Sequence, residues 1–155
     1  MKKLLTIFSL LCCSVLFTHH AMAAPNLWGS SFAQGFIEYG IVNDKGDSII
    51  ITCNIGAGDD YDNSVAIYLA SNKQYENEKS ELEFVIADES YPIPSETETR
   101  SGSNAWDSFV GAISTATQFD VYVDNKKITT FSPKANNVKK VLKDMDCSSL
   151  VNRSE

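Results

Sequence analysis

Ser48-Ile49-Ile50-Ile51-Thr52-Cys53-Asn54-Ile55 decides how this chain is read. Ile49, Ile51, Cys53 and Ile55 recur at period two, the spacing of side chains on one face of a β-strand. The stretch is rich in β-branched residues and follows Asn43-Asp44-Lys45-Gly46, a turn signal. It therefore predicts a strand whose apolar face, Cys53 included, points into a core.

Working outward, Phe36 to Val42 reads as the partner strand across that turn. Trp28 to Phe36 is Gly/Ser-rich with spaced aromatics, and fits either a loose arm or a first edge strand. Gly56 to Asn63 is a polar loop. Val65, Ile67 and Leu69 alternate as a third strand, and Asn72 to Ser80 breaks the pattern with charge. Leu82, Phe84 and Ile86 alternate as a fourth strand running toward Tyr91-Pro92-Ile93-Pro94. Ser95 to Ser103 carries no apolar anchor and is expected as a loop.

The period then changes. Trp106, Phe109, Val110 and Ile113 lie at i, i+3, i+4 and i+7, one face of a short helix. Asn104 is the expected cap, with Asp107 in the positive first turn. Gln118–Val123 and Lys127–Phe131 form a hairpin around Asp124-Asn125-Lys126. Ser132-Pro133 then opens a last helix, with Val138, Val141, Leu142 and Met145 on its buried face and its end at Asp146-Cys147. The sum is an α+β domain: an antiparallel β-rich sheet or sandwich with two helices.

The start of the chain sets its compartment. Met1-Lys2-Lys3, the apolar run from Leu4 to Phe17, and Ala21-Met22-Ala23 before Ala24-Pro25 have the layout of a secretory signal peptide. The apolar run falls short of the ~20 residues needed to span a bilayer. Residues 1–23 are thus expected to be cleaved, leaving one exported domain, 24–155, periplasmic or secreted and without a membrane anchor.

Cleavage changes the composition. The chain has 13 Lys+Arg, 20 Asp+Glu, four Cys and two His, a formal charge of −7. Lys2, Lys3, Cys12, Cys13, His19 and His20 all lie in the leader. The remainder keeps 11 bases against 20 acids, a formal −9, with no histidine and two cysteines. Cys53 and Cys147 in an exported chain most simply make one disulfide. It would close a loop of about 95 residues, for which chain entropy gives roughly 4–5 kcal/mol.

Without histidine, Ser-His-Asp and Cys-His nucleophile pairs are excluded, and the commonest zinc ligand is gone. No G-x-G-x-x-G or P-loop segment is present, so no nucleotide cofactor is indicated. The acidic balance argues against nucleic acid. Paired carboxylates such as Glu81/Glu83 or Asp88/Glu89 leave open a histidine-free hydrolase. Asp59-Asp60-Tyr61-Asp62-Asn63 alternates oxygen ligands as a calcium loop does. Counting from Asp60, however, Val65 and Ser71 stand where an EF-hand needs Gly and Glu, so no metal is expected.

Charge is uneven: residues 38–124 hold 17 acids and four bases, whereas 126–155 hold seven bases and three acids. An ordinary solvated surface accounts for this; the functional alternative is that the acidic sheet and loops meet a basic partner, another envelope or secreted protein, with charge steering the encounter. Two surfaces are candidates. One is the acidic loop with Asp59, Asp60 and Asp62. The other is Ser90–Ser103, with Tyr91 and two prolines at its entry and Glu96, Thr97, Glu98 and Arg100 projecting outward.

Ile50-Ile51-Thr52-Cys53 on an early strand, a helix ending Phe109-Val110-Gly111-Ala112-Ile113, the Phe119–Phe131 hairpin and a last helix closing on Cys147 follow one another in order. This order resembles the small exported proteins associated with bacterial type VI secretion. The resemblance spans roughly residues 36–147 and implies an accessory of a secretion or conjugation apparatus rather than an enzyme. An inhibitor or immunity protein blocking a periplasmic hydrolase is the alternative.

Overall fold

A computed structural model describes residues 24–149 and 151; the expected signal peptide, 1–23, lies outside the described residues. Two antiparallel sheets face one core. The first is a meander of β1 (Gly29–Ala33), β2 (Phe36–Val42), β3 (Ser48–Asn54), β4 (Ser64–Tyr68) and β5 (Gln74–Glu76), in that order. The second contains β6 (Leu82–Ile86), β7 (Glu89–Ile93), β8 (Phe119–Val123) and β9 (Lys126–Phe131), ordered β7-β6-β8-β9. Helix α1 (Arg100–Ile113) joins β7 to β8, and α2 (Ala135–Val141) follows β9.

The period-two reading of Ser48–Ile55 holds: Ile49, Ile51 and Cys53 are fully buried. Register places Tyr39 beside Ile51 and Ile41 beside Ile49, so one apolar face runs across β2 and β3. Leu82, Phe84, Phe119, Val121 and Phe131 form the opposing face of the second sheet. An aromatic chain fills the space between. Trp106 meets Phe109 at 5.7 Å between ring centroids, Phe109 meets Phe84 at 4.9 Å, Phe84 meets Phe119 at 5.7 Å, and Phe119 stacks on Phe131 at 5.3 Å. Trp28 stacks on Phe119 from the first sheet's edge at 6.4 Å, although its buried Nε1–H has no acceptor.

A polar knot ties the sheets at one end. The Asn43 amide donates to Thr129 Oγ1 at 2.9 Å and to the Thr130 carbonyl at 3.1 Å. The Thr129 hydroxyl in turn donates to Asp47 at 2.6 Å, and the Ala70 amide donates to the other Asp47 oxygen at 2.9 Å. Burial acts to raise the pKa of this carboxyl, but donors from Thr129, Ala70 and Asn43, with Lys45 nearby, outweigh it and hold it below the ordinary value. At the other end the Cys53–Cys147 disulfide joins β3 to the chain beyond α2, with Cα atoms 4.9 Å apart.

Several expected boundaries move. Helix α1 starts four residues before Asn104: Thr99 is its cap, accepting from the Gly102 amide at 3.1 Å. Asp107 consequently lies past the first turn, where it accepts from the Ser149 amide at 3.1 Å. The Ser90–Ser103 loop shrinks to residues 94–99, because Ser90–Ile93 belongs to β7 and Arg100–Ser103 to α1. β7 pairs with β6 through a tight turn at Ala87 and Asp88, both at positive φ (50° and 65°). A three-residue strand, β5, sits inside the charged 72–80 segment. Helix α2 begins at Ala135, after Lys134 rather than Ser132, and no side chain caps it. Of its expected apolar face, Val138 and Leu142 are buried while Val141 and Met145 are only partly so. Gly29–Ala33 is the edge-strand alternative, not the loose arm.

Candidate partner-binding surface

Asparagines at the base of the acidic loop hold its backbone by hydrogen bonds. Asn54 accepts from the Gly56 and Ala57 amides (3.1 and 2.9 Å) and donates to the Gly58 and Tyr61 carbonyls (2.7 and 2.5 Å). Asn63 accepts from the Asn54 amide at 2.8 Å and donates to the Ser148 carbonyl at 3.1 Å, next to the disulfide. These side chains stand in for a strand ladder over a stretch that cannot form one.

Asp62 turns inward. Its carboxylate accepts from the Thr97 amide at 2.5 Å, from the Thr97 hydroxyl, and from the Asn63 amide at 2.6 Å. Thr97 is 0% exposed, so it does not project outward as the sequence suggested; it is the anchor of its segment. The expected two surfaces are therefore one. The acidic loop and residues 94–99 are clamped through Asp62–Thr97, and the Asn77 amide holds the segment's start through the Pro94 carbonyl at 2.8 Å.

What remains outward is a mixed surface. Asp59, Asp60, Glu96, Glu98 and Arg100 are exposed. Tyr61 is 56% exposed and packs edge-on against Phe36 at 5.7 Å. Phe32, 67% exposed, stands at the same end of the first sheet, one turn from Phe36. Tyr91 is separate: it lies on edge strand β7 and donates to Glu89 at 2.7 Å, a bond that raises its phenol pKa. Sequence reading singled out neither Phe32 nor Phe36 and placed Tyr61 only within a polar loop. Phe32 pairs with Ile37 and so shares its face of the sheet, and only the extent of the opposing sheet leaves it in solvent.

Of the loop's oxygen ligands, Asp62 is engaged by Thr97 and Asn63 by the backbone, whereas Asp59 and Asp60 are exposed. Among the described residues no group of three or more His, Cys, Asp and Glu is placed to hold a metal ion. Of the paired carboxylates, Glu83 is hydrogen-bonded to Ser90 on the solvent side of β6, and Glu81, Asp88 and Glu89 are exposed. The arrangement suits recognition of a basic, partly apolar surface.

The sequence model of the YfjT family matches residues 26–142. The chain is 36% identical over 133 residues to "Uncharacterized protein YfjT" of Escherichia coli (strain K12), covering 83% of this chain and 86% of that protein. It is 35% identical over 139 residues to "Uncharacterized protein YkfB" of the same strain, covering 86% and 90%. No solved structure matches.

Proposed function

The chain belongs to the YfjT family, and from that premise we propose that it is a noncatalytic, exported protein-binding domain. The Asp62–Thr97 clamp carries this reading, because it sacrifices one acid of the loop to hold the others and Tyr61 on a fixed surface. A preorganised surface loses less ordering entropy on binding. The N-terminal Met1–Ala23 pattern and the disulfide support an extracytoplasmic site of action. Within that role, an accessory of a secretion or conjugation apparatus is the first form, resting on the resemblance in element order; neither relative's name speaks of secretion. Inhibition of a periplasmic hydrolase is the second form, favoured by the acidic, aromatic-tipped surface.

Affinity capture of the oxidised domain from envelope extract, followed by mass spectrometry, tests it against the charge-reversed variant Asp59→Lys/Asp60→Lys/Glu98→Lys. A partner retained by the domain and lost by the variant is expected. Equal retention by both would sink the assignment of the surface, and turnover of a cell-wall substrate by the domain itself would sink the noncatalytic reading. The two forms separate on a purified lytic hydrolase, which only an inhibitor stops.

A further inference from the structure

Among the described residues four strands lie at sheet edges, and three are defended. β5 is three residues long, β7 carries Glu89 and Pro92, and β9 starts with Lys126 and Lys127. Short length, proline and lysine all discourage pairing with another chain. β1, Gly29-Ser30-Ser31-Phe32-Ala33, has none of these devices: it carries no charge and no proline, and all five residues are exposed.

Its free edge is already used once. Just before β1, the Trp28 amide donates to Asn137 Oδ1 at 2.5 Å, and the Asn137 amide donates back to the Trp28 carbonyl at 3.0 Å. A side-chain amide from α2 thus imitates one peptide unit of a neighbouring strand. In an antiparallel ladder, every second residue turns both main-chain groups away from its partner. Trp28 turns them toward Asn137 rather than β2, so by alternation Ser30 and Phe32 present theirs to the open side.

Beside this edge lies a trough of about 520 Å³ on the outer face of the sheet. Register gives its shape. Gly29 pairs with Gly40, and Gly40 with Ile50, so the row across β1, β2 and β3 has no side chain until Ile50. Leu27 and Val42 form one wall, Ser31 and Glu38 the other. The fold does not require these glycines. A Cβ at Gly29 would meet nothing within 4 Å, one at Gly40 only the Ile49 carbonyl oxygen at 3.8 Å, and neither has positive φ. A glycine row inside a sheet loses packing, and a cross-strand aromatic laid over it restores that packing. Trp28 is the one aromatic among the described residues lining the trough, and its ring is turned away into the core against Phe119.

We propose that β1 receives an extended segment of a partner protein, added antiparallel as a sixth strand, with a bulky apolar side chain over Gly29–Gly40 and a lysine or arginine beside Glu38. Main-chain bonds to Ser30 and Phe32 hold the strand, and the trough reads alternate side chains, as in other β-addition complexes. A base is the complement because Glu38 is the only charged residue among the described residues lining the trough, and residues 38–124 hold 17 acids against four bases. The added strand runs out at Ala33, toward the hairpin turn where Gly35 abuts Gly56 and Ala57 of the acidic loop. The inference rests on the protein-binding reading for the existence of a partner, and adds its conformation and its anchor residues.

The probe is the blocked hexapeptide Thr-Val-Lys-Val-Phe-Thr, titrated into ¹⁵N-labelled oxidised protein and followed by amide shifts. Saturable shifts at Ser30 and Phe32 are expected at up to about 5 mM peptide, weakened roughly tenfold when the peptide's Phe becomes Ala or its Lys becomes Glu. Gly40→Val, which fills the trough, and Glu38→Lys should each weaken binding by a similar factor, and matching peptide changes guard against a folding defect in either. No saturable shift in β1, or binding indifferent to both the peptide changes and the variants, overturns the proposal. So do β1 shifts that depend on protein concentration alone, which make a second copy the occupant. Peptide binding without any envelope partner leaves the site standing and removes the functional reading; a captured partner indifferent to Gly40→Val does the reverse.

Discussion

Thr97→Val should show that the acidic loop and the 94–99 segment behave as one surface. The substitution keeps the volume of a side chain that is 0% exposed and removes the hydroxyl that donates to Asp62. Asp62 retains the Thr97 amide at 2.5 Å and the Asn63 amide at 2.6 Å, so one charge-assisted bond is lost and no donor is stranded. Such a bond contributes about 1.5–3 kcal/mol, and the lower half of that range applies because Asp62 is partly open to water. Asp62→Ala is harsher, because it leaves both the buried hydroxyl and the Thr97 amide without an acceptor; about 3 kcal/mol is expected. The double variant should cost about 1–2 kcal/mol less than the two single changes combined, the signature of a direct contact. Urea unfolding monitored by tryptophan fluorescence measures all four corners, with a common m-value required. In partner binding, Thr97→Val should weaken capture although Thr97 itself touches no solvent. Additive costs, or a Thr97→Val cost below about 0.5 kcal/mol, would refute the clamp.

Three further outcomes follow from the same structure. Reduction, or Cys53→Ser/Cys147→Ser, should remove roughly 4–5 kcal/mol for a bridge spanning 94 positions, read as a lowered unfolding midpoint; two alkylatable thiols in intact-mass analysis of the oxidised protein would deny the bridge. Gly102→Ala should destabilise by about 2 kcal/mol or more despite alanine's better helix propensity, because its Cβ would sit 2.2 Å from the Glu96 carbonyl oxygen; a raised melting temperature would contradict this. Asp47 has a folded pKa below its unfolded value of about 4, so its contribution is complete above that pH and is lost as pH falls through the lower folded value. Asp47→Asn should lower stability at pH 7 and flatten the acid limb below about pH 4, and an unchanged acid limb in parallel melts would exclude the polar knot as its source.

The elements that were legible in the sequence are those whose burial follows a simple period. Ile49, Ile51 and Cys53 announced β3, and Phe119 with Val121 and Val123 announced β8, because in a sheet with one solvated face alternation and burial coincide. The missed elements are held by partners distant in sequence. Ser101-Gly102-Ser103-Asn104 is a poor helix opening by propensity, yet it is helical: Gly102 fits under the Glu96 carbonyl, and Ser103 is hydrogen-bonded to Ser149. β7 escaped notice because Pro92 demotes a strand and Ala87-Asp88 lacks the Asn or Gly that announces such a turn. The candidate surface was half visible. Its acids could be counted, but that Asp62 turns inward depends on Thr97, 35 positions away.

By itself, then, the sequence determined the α+β class and that residues 24–155 hold two cysteines and no histidine, since composition and local period need no knowledge of neighbours. Tertiary structure alone decided that the acidic loop and residues 94–99 are clamped into one surface, that Phe32 stands in solvent, and that β1 is the one undefended edge among the described residues. Each of these depends on which strand lies beside which and how far the opposing sheet reaches. Those are properties of the packed chain, and no window of residues encodes them.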